Sequence, residues 1–255
     1  MSEPSTASEQ FLARVISGPT VLVEYGGLRL LTDPTFDPAG TYPGASPLER
    51  TVGSPVTADD VGAVDAVLLS HDEHADNLDN AGRAFLADVP LTLTTLSGAA
   101  RLGGTARGVA PWEAIDVPRP GGGSITVTAT RAQHGPDGSQ PVVGDVIGFV
   151  LTGDGLPVVY ISGDNASLDV VREVAERFDV EEAVLFAGAV RMPVVRDEPD
   201  LLTLDAERAV EAARLLDARR VLIAHVDSWA HFSEDLRTTV AAFDEAGMGD
   251  RLVRR

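Results

Sequence analysis

The sequence predicts an α/β fold in which β-sheets stack face to face with helices on the outside. Short apolar, β-branched runs dominate the first half of the chain, and such runs alternate with helical patterns in the second half. This order is typical of layered α/β architectures. With 255 residues and 44% hydrophobic content, the chain can bury the core of one large domain. We therefore expect a single domain over residues 1–255, with residues 1–10 as a disordered tail.

Eight apolar runs predict the strands, and two further patterns predict helices. The strands are expected over residues 20–25, 28–32, 66–69, 125–130, 146–151, 158–161, 183–186 and 221–224. The Gly26-Gly27 pair between the first two runs predicts a hairpin. Residues 205–216 place alanine, valine and leucine on one helical face. Ser233 is expected to cap a last helix that runs to about Ala246.

Two segments rich in turn-forming residues interrupt these patterns. Residues 34–55 contain many Pro, Gly and Ser residues, which predicts a long surface loop that is either a binding lid or a plain connector. Gly121, Gly122 and Gly123 precede a strand rather than a helix, so they predict a turn and not a phosphate-binding loop.

Composition excludes several kinds of chemistry. The chain has no cysteine and no lysine, which removes thiol nucleophiles, thiolate metal ligands and Schiff-base catalysis. A formal net charge of -19 disfavours nucleic acid as a partner and leaves a small molecule as the expected one. The first ten residues are polar and no apolar run approaches the roughly 20 residues of a membrane span, so we expect a cytoplasmic protein. Whether the chain forms a homo-oligomer stays open.

The positions of the histidines indicate a metal site. Of the five, His71, His74, His134 and His225 follow predicted strands closely, and Asp164 follows another. Strand ends at one edge of a sheet bring loop residues together, and imidazole with carboxylate is the ligand set of zinc, manganese or iron. Residues 71–76 alone hold two imidazoles and three carboxylates, which suits a cation better than a packed core. The alternative is an unrelated α/β protein in which the histidines are scattered structural residues.

These motifs resemble the metallo-β-lactamase superfold, and in particular its lactonase and phosphodiesterase-like branch, which is similar to ascorbate-6-phosphate lactonases. The matching segments are Ser-His-Asp-Glu-His-Ala-Asp-Asn at 70–77, Ala-Gln-His-Gly at 132–135, Ser-Gly-Asp-Asn at 162–165, Ile-Ala-His at 223–225, Leu-Thr-Asp-Pro at 31–34 and Trp-Ala-His-Phe at 229–232. The resemblance runs from about Thr20 to Phe232. It implies a four-layer αββα sandwich.

The resemblance also implies roles for these residues. A first metal site would use His71, His74 and His134, and Asp164 would bridge to a second site made of Asp76 and His225. One or two divalent ions are implied, with zinc expected first and manganese or iron as alternatives. The ion would lower the pKa of its water toward about 7 and so produce an attacking hydroxide, which Asp76 would orient or deprotonate.

Two positions depart from the family pattern. The second histidine stands one residue late, so either His74 or Glu73 is the second ligand, and we favour His74. Asn77 stands where the pattern has histidine, and a neutral amide is a poor transition-metal ligand, so the second ion is expected to be weakly held or absent.

Three further residues have alternative interpretations. Asp33 either accepts a hydrogen bond from a ligand histidine or caps a turn. His231 is either a catalytic donor to the substrate or part of a packed corner with Trp229 and Phe232. Arg191 either binds an anionic substrate group or forms a surface ion pair, which we favour.

The expected function is hydrolysis of an ester, lactone or phosphodiester bond of a small molecule by a metal-bound hydroxide. One alternative is a phospholipase-D-like phosphodiesterase that acts on lipid head groups. Another is a metal- or ligand-binding protein that has kept the fold and lost turnover, which the changes at His74 and Asn77 would motivate.

Overall fold

The computed structural model describes residues 11–44, 47–195 and 198–253. Its strands in chain order are β1 (Phe11–Ser17), β2 (Thr20–Tyr25), β3 (Leu28–Thr32), β4 (Gly40–Tyr42), β5 (Leu48–Arg50), β6 (Ala66–Leu68), β7 (Thr92–Thr94), β8 (Ala106–Gly108), β9 (Ala114–Pro118), β10 (Ser124–Arg131), β11 (Ile147–Thr152), β12 (Val159–Ile161), β13 (Glu182–Phe186), β14 (Arg191–Met192), β15 (Asp200–Leu201) and β16 (Arg220–Ala224). Its α-helices are α1 (Ala58–Val61), α2 (Asn80–Phe85), α3 (Leu96–Leu102), α4 (Gln140–Val143), α5 (Leu168–Ala175), α6 (Ala206–Leu216) and α7 (Leu236–Glu245), and short 3₁₀ helices cover Leu86–Asp88 and Gly249–Arg251.

The strands form two six-stranded sheets. The first has the order β1-β2-β3-β6-β7-β8, antiparallel as far as β3 and parallel from there. The second has the order β16-β13-β12-β11-β10-β9, in which β16, β13 and β12 are parallel and the others antiparallel. All eight predicted strands are present in these sheets.

Alternating side chains place each sheet between two apolar layers. Leu30 and Leu68 of the first sheet and Val184 and Leu222 of the second lie in one central core between the sheets. Their chain neighbours point the other way, because successive side chains of a strand lie on opposite faces. Both faces of the central strands are therefore apolar, which explains their continuous hydrophobic sequence.

Helices cover the two outer faces. Val67 and Leu69 of the first sheet pack against residues of α1 and the α2 region, whereas Ala183, Leu185, Val221 and Ile223 of the second sheet pack against α5, α6 and α7; these residues belong to two further clusters. The order of layers is therefore helix, sheet, sheet, helix. The predicted αββα sandwich is confirmed.

The helix patterns are partly confirmed. Helix α6 begins after Asp205, whose carboxylate accepts a hydrogen bond from the Arg208 amide, as its sequence pattern predicts. The prediction that Ser233 caps the last helix is wrong. The backbone N–H of Ser233 donates to the carbonyl of Gly188, which lies just after β13. Asp235 caps α7 instead.

The prediction of a long loop over residues 34–55 is also partly wrong. The segment contains the antiparallel pair β4 and β5, and it buries Phe36 and Arg50. Positions 45 and 46, and the tail expected at residues 1–10, lie outside the described residues. Residues 121–123 form the predicted turn between β9 and β10. The backbone N–H of Arg119 donates to the Gly123 carbonyl across this turn. Among the described helices, none is long and apolar enough to span a membrane.

Candidate metal centre

Four strands of the two sheets end at one edge and carry the predicted ligands. Strands β12, β13 and β16 are parallel, and β10 runs in the direction of β12 because each is antiparallel to β11. The connections that follow carry His71, His74 and Asp76 after β6, His134 after β10, Asp164 after β12 and His225 after β16. The topology therefore collects residues that are far apart in the sequence.

The first group consists of the imidazoles of His71, His74 and His134. One ring nitrogen of each lies within 4.8 Å of the others. Nε2 of His71 and Nδ1 of His74 are 2.9 Å apart. His71 and His134 are buried, whereas His74 is partly exposed.

The second group consists of Asp76, Asp164 and His225, and all three are buried. Nε2 of His225 lies 3.3 Å from Oδ2 of Asp76 and 3.6 Å from Oδ1 of Asp164. The His225 ring stacks against Phe186 and contacts Phe232, with ring centroids 5.4 Å and 4.2 Å away. These contacts fix the orientation of the imidazole.

Asp164 lies between the two groups. Its Oδ1 faces His225, and its Oδ2 lies 3.8 Å from Nε2 of His134. Each carboxylate oxygen is thus directed at a different group. This arrangement suits a ligand shared by two ions.

Hydrogen bonds on the outer side of two imidazoles determine which nitrogen faces the site. Nδ1 of His134 lies 2.8 Å from the Leu202 carbonyl, which can only accept. Ser70 Oγ donates to Oδ1 of Asp33 at 2.8 Å, so it accepts from Nδ1 of His71 at 3.0 Å. Both histidines therefore direct the unprotonated Nε2 inward, as metal ligands require.

Asp33 acts on His71 through Ser70. Its Oδ1 accepts from both the backbone N–H and the hydroxyl of Ser70. Burial, and after it the Asp164 carboxylate, hold the pKa of Asp33 well above its usual value. Of the two interpretations of Asp33, the structure favours support of a ligand histidine, with the hydroxyl of Ser70 as the intermediate.

Asn77 contacts the carboxylate of the second group. Its Nδ2 lies 3.3 Å from Oδ1 of Asp164 and 3.4 Å from Ser70 Oγ. The side chain is buried, and its Oδ1 has no hydrogen-bond partner among the described residues. Asn77 therefore orients Asp164 by donation.

Asp72 and Glu73 are turned away from both groups. Nε of Arg101 lies 3.1 Å and 3.0 Å from the two carboxylate oxygens of Asp72, and its Nη2 lies 2.8 Å from Oε1 of Glu73. Of the two predicted alternatives for the second ligand position, His74 is thus the one that lies with His71 and His134. Arg101 itself has no signal in the sequence that connects it to residue 72.

Burial and neighbouring charges set the protonation of the site. Burial, followed by the neighbouring imidazoles, holds the pKa of His71 well below its usual value, and burial also lowers the pKa of His134. Burial acts to raise the pKa of Asp76, but His231 and His225 outweigh it and hold that pKa well below the usual value. Neutral imidazole and ionised carboxylate are the forms that bind metal ions.

This donor set fits a divalent cation. Nε2 of His71 and Nδ1 of His74 lie at hydrogen-bond distance, so without an ion one imidazole donates to the other, and with an ion both nitrogens are available as ligands. Both ring nitrogens of His225 are buried and have no hydrogen-bond partner among the described residues. A cation would satisfy these atoms, and four imidazoles with two carboxylates are suitable ligands for zinc, manganese or iron.

A cavity of about 370 Å³ opens onto both groups. Its lining includes His74, Asp76, His134 and, at the mouth, His231. Nε2 of His231 lies 3.0 Å from Oδ2 of Asp76. Trp229 and Phe232 form the packed corner that the sequence suggested, while His231 between them faces the cavity.

A comparison with protein-family models identifies the family to which this chain belongs. The model of the beta-lactamase superfamily domain matches residues 28–226, which is most of the chain. The chain belongs to this family. The resemblance inferred from the motifs at residues 70–77, 132–135, 162–165 and 223–225 is thereby confirmed.

Individual relatives of this superfamily domain are more distant. A UPF0173 metal-dependent hydrolase from Salinibacter ruber (strain DSM 13855 / M31) is 31% identical over 140 residues, which are 51% of this chain. The match spans 55%, or about half, of the length of that curated relative.

Two solved structures share the fold over nearly the whole chain. The isothiocyanate hydrolase from Delia radicum gut bacteria has a TM-score of 0.78 and 24% identity, with 94% of each chain covered. A protein described as a possible metal-dependent hydrolase from Veillonella parvula DSM 2008 has a TM-score of 0.81 and 18% identity, with 96% of each chain covered. At these identities the likeness shows the fold alone.

Arg191 forms the favoured surface ion pair with Asp205, and the two charged groups are 3.3 Å apart.

Two groups that contact candidate ligand histidines could not be found from the sequence. Ser70 contacts His71 and the Leu202 carbonyl contacts His134, both from positions that carry no motif of their own. Leu202 lies 68 residues beyond His134. Only the folded chain brings them together.

Proposed function

We propose that this protein is a metal-dependent hydrolase of a small molecule. The observation that carries the proposal is that Asp164, a member of the second group, directs one carboxylate oxygen to His225 and the other to His134 of the first group, beside a cavity lined by residues of both groups. The proposed ligands are His71, His74, His134, Asp76, Asp164 and His225. The relative from Salinibacter ruber is named a metal-dependent hydrolase, which supports the same reaction type.

A divalent ion held by these residues would supply Lewis-acid chemistry and acidify a water molecule. Oδ2 of Asp76, which faces the cavity, is suited to orient the attacking water or accept its proton. His231 adjoins that oxygen at the cavity mouth and is suited to donate to the leaving group or to the developing oxyanion. Asp76 and His231 are therefore the proposed catalytic residues.

The proposed bond is a carboxylic ester or lactone, and a phosphodiester is the alternative. Both reactions use the same attack by an activated water, so the ligand groups alone do not distinguish them. We propose zinc as the resident ion because the first group is entirely imidazole. Manganese and iron accept the same ligands and are the ions to compare.

Turnover after metal loading tests the proposal. Protein stripped with a chelator and reloaded with zinc, manganese or iron would be assayed with a para-nitrophenyl ester, a γ-lactone and bis(para-nitrophenyl) phosphate. We expect metal-dependent hydrolysis that an Asp164→Ala variant loses and an Asp169→Ala variant keeps, because the Asp169 side chain is 88% exposed. No metal-dependent hydrolysis of any of these compounds would contradict the proposal.

The alternative function is a binding protein that has lost turnover. Asn77, which orients Asp164 without being an imidazole, is the observation that motivates it. The two functions differ in the effect of an Asp76→Ala variant. A hydrolase would lose turnover in that variant, whereas a binding protein would show no turnover to lose and would still bind its ligand.

A further inference from the structure

We infer that the cavity above the ligand groups selects an uncharged substrate with an apolar chain. The inference rests on the proposed function, because it treats this cavity as the route by which substrate reaches Asp76 and His231. Two observations support it. The walls of the cavity are apolar, and no arginine is among the described residues that line it.

One wall of the cavity is built directly on the first ligand group. Val143, Val190 and Leu202 form a buried apolar cluster, and Met192 and Val194 pack against it. All five line the cavity. Because the Leu202 carbonyl also accepts the hydrogen bond from His134, this wall is held at a fixed position relative to the ligands.

Two residues of the short strands β4 and β5, Tyr42 and Leu48, also line the cavity. The tilted contact between the rings of Tyr42 and Trp229, with centroids 5.3 Å apart, holds Tyr42 in place. A substrate chain that extends from the ligand groups would therefore contact further hydrocarbon surface there.

No arginine is among the described residues that line the cavity, and the chain contains no lysine. The charged side chains outside the histidines are Glu73 and Asp76, which are acidic. Outside the histidines, the described lining therefore offers no cationic side chain to a negative charge on the far end of a substrate.

Two of the described arginines, each next to a part of the chain that lines the cavity, are engaged elsewhere. Arg50 is fully buried and donates to Asp79 and Ser17. Arg101 binds Asp72 and Glu73 from the outer side.

The short strand β14 shows the same division on its two faces. Arg191 points outward to Asp205, whereas its neighbour Met192 faces the cavity. Arg191 is therefore not among the described residues that line the cavity, although it is the chain neighbour of Met192. This separation of charge from the cavity predicts discrimination against anionic chains, since burial of an unpaired charge is costly.

Binding of a matched series of amides tests the inference without requiring turnover. Butanamide, hexanamide and octanamide differ in apolar length, and adipamate replaces the terminal methyl of hexanamide with a carboxylate. Affinities would be measured by ligand-observed NMR, before and after zinc loading. We expect affinity to rise about two- to fourfold per added methylene, and adipamate to bind at least about tenfold more weakly than hexanamide. Affinity that does not depend on chain length, or equal or tighter binding of adipamate, would overturn the inference.

Adjacent substitutions on β14 provide the matched variants. Met192→Arg should reduce or reverse the preference for hexanamide over adipamate, because it adds a cation to the cavity wall. Arg191→Met changes the outward residue and should leave the preference unchanged. If both variants, or neither, shifted the preference, the assigned role of this wall would be contradicted.

Turnover of para-nitrophenyl hexanoate and para-nitrophenyl adipate monoester separates this inference from the proposed function. Faster hydrolysis of the neutral ester supports both. Faster hydrolysis of the anionic ester overturns the inference and leaves the proposed function intact. Hydrolysis of neither ester, nor of the lactone or the phosphodiester, with the amide series still ranked as expected, contradicts the proposed function and supports the inference.

Discussion

Nε2 of His231 lies 3.0 Å from Oδ2 of Asp76, which joins a residue at the cavity mouth to a residue of the second ligand group. His225 approaches the same oxygen at 3.3 Å. The two histidines differ in exposure, since the His225 side chain is fully buried whereas that of His231 is 17% exposed. Under the proposed function, the buried His225 is therefore the candidate ligand and the more exposed His231 is the candidate for contact with substrate.

His231→Ala should lower kcat by about 100-fold or more while the metal content stays that of the wild type, because general acid or base groups contribute about that much. Steady-state kinetics and elemental analysis of the same preparation measure the two effects. His231→Gln keeps a hydrogen-bond donor and should recover part of kcat if His231 acts mainly by positioning Asp76. Loss of metal in His231→Ala would instead make His231 a ligand.

Gly188→Ala should displace His225. A Cβ atom at position 188 would lie 2.2 Å from the His225 carbonyl oxygen, and backbone cannot move away as a flexible side chain can. We expect a loss of about 1–3 kcal/mol in the free energy of unfolding, measured by urea titration, together with weaker metal binding. Gly121→Ala is the control, since no atom lies within 4 Å of its added Cβ. Equal stability of the two variants would contradict the close approach at Gly188.

Arg50→Met should destabilise the fold strongly. The Arg50 and Asp79 side chains are both fully buried and 2.8 Å apart, so removal of the guanidinium leaves an uncompensated carboxylate. Loss of one partner of a buried ion pair costs about 3–5 kcal/mol. The exposed pair of Arg172 and Asp169 provides the comparison, and Arg172→Met should change stability by less than about 1 kcal/mol. Similar costs at the two sites, from urea unfolding, would show that burial of the Arg50 pair is unimportant.

Asp37→Asn should reduce stability in a pH-dependent way. Burial acts to raise the pKa of Asp37, but hydrogen bonds from Tyr42, Asn80 and Ala81 outweigh it and lower the pKa below its usual value. A lowered native pKa stabilises the fold above the unfolded pKa of about 3.9, and this contribution is lost as pH falls through the native value. The stability difference between wild type and variant should therefore be constant at neutral pH and shrink in acid. A difference that does not change down to pH 2 would contradict this assignment.

The sequence predicts the sandwich well because its central strands have clear hydrophobic patterns. Central strands such as β6 and β12 are buried on both faces, so they appear as continuous apolar runs that are followed closely by a candidate ligand. Shorter strands such as β4, β5, β14 and β15 give no such signal, because two or three residues carry no period. Three of these strands contribute residues that line the cavity: Tyr42 of β4, Leu48 of β5 and Met192 of β14.

The two groups of candidate ligands could also be predicted, whereas the hydrogen bonds that orient them could not. The spacing of His71, His74 and Asp76 and the strand-end positions of the other ligands are visible in one sequence. The hydrogen bond from His134 to the Leu202 carbonyl involves a backbone atom, to which no residue type corresponds. Likewise, the pairing of Asp72 with Arg101 depends on how α3 packs beside the loop after β6, so only the folded chain shows that Asp72 is not a ligand.

Bound metal per chain tests the central claim most directly. The protein would be purified without a chelator or a nickel-loaded resin, and elemental mass spectrometry would be applied to wild type, His134→Ala and the exposed control Asp169→Ala. We predict about one or two equivalents of zinc, manganese or iron in wild type and control, with a clear loss in His134→Ala. Wild-type protein that binds none of these metals, even after reconstitution, would contradict the account.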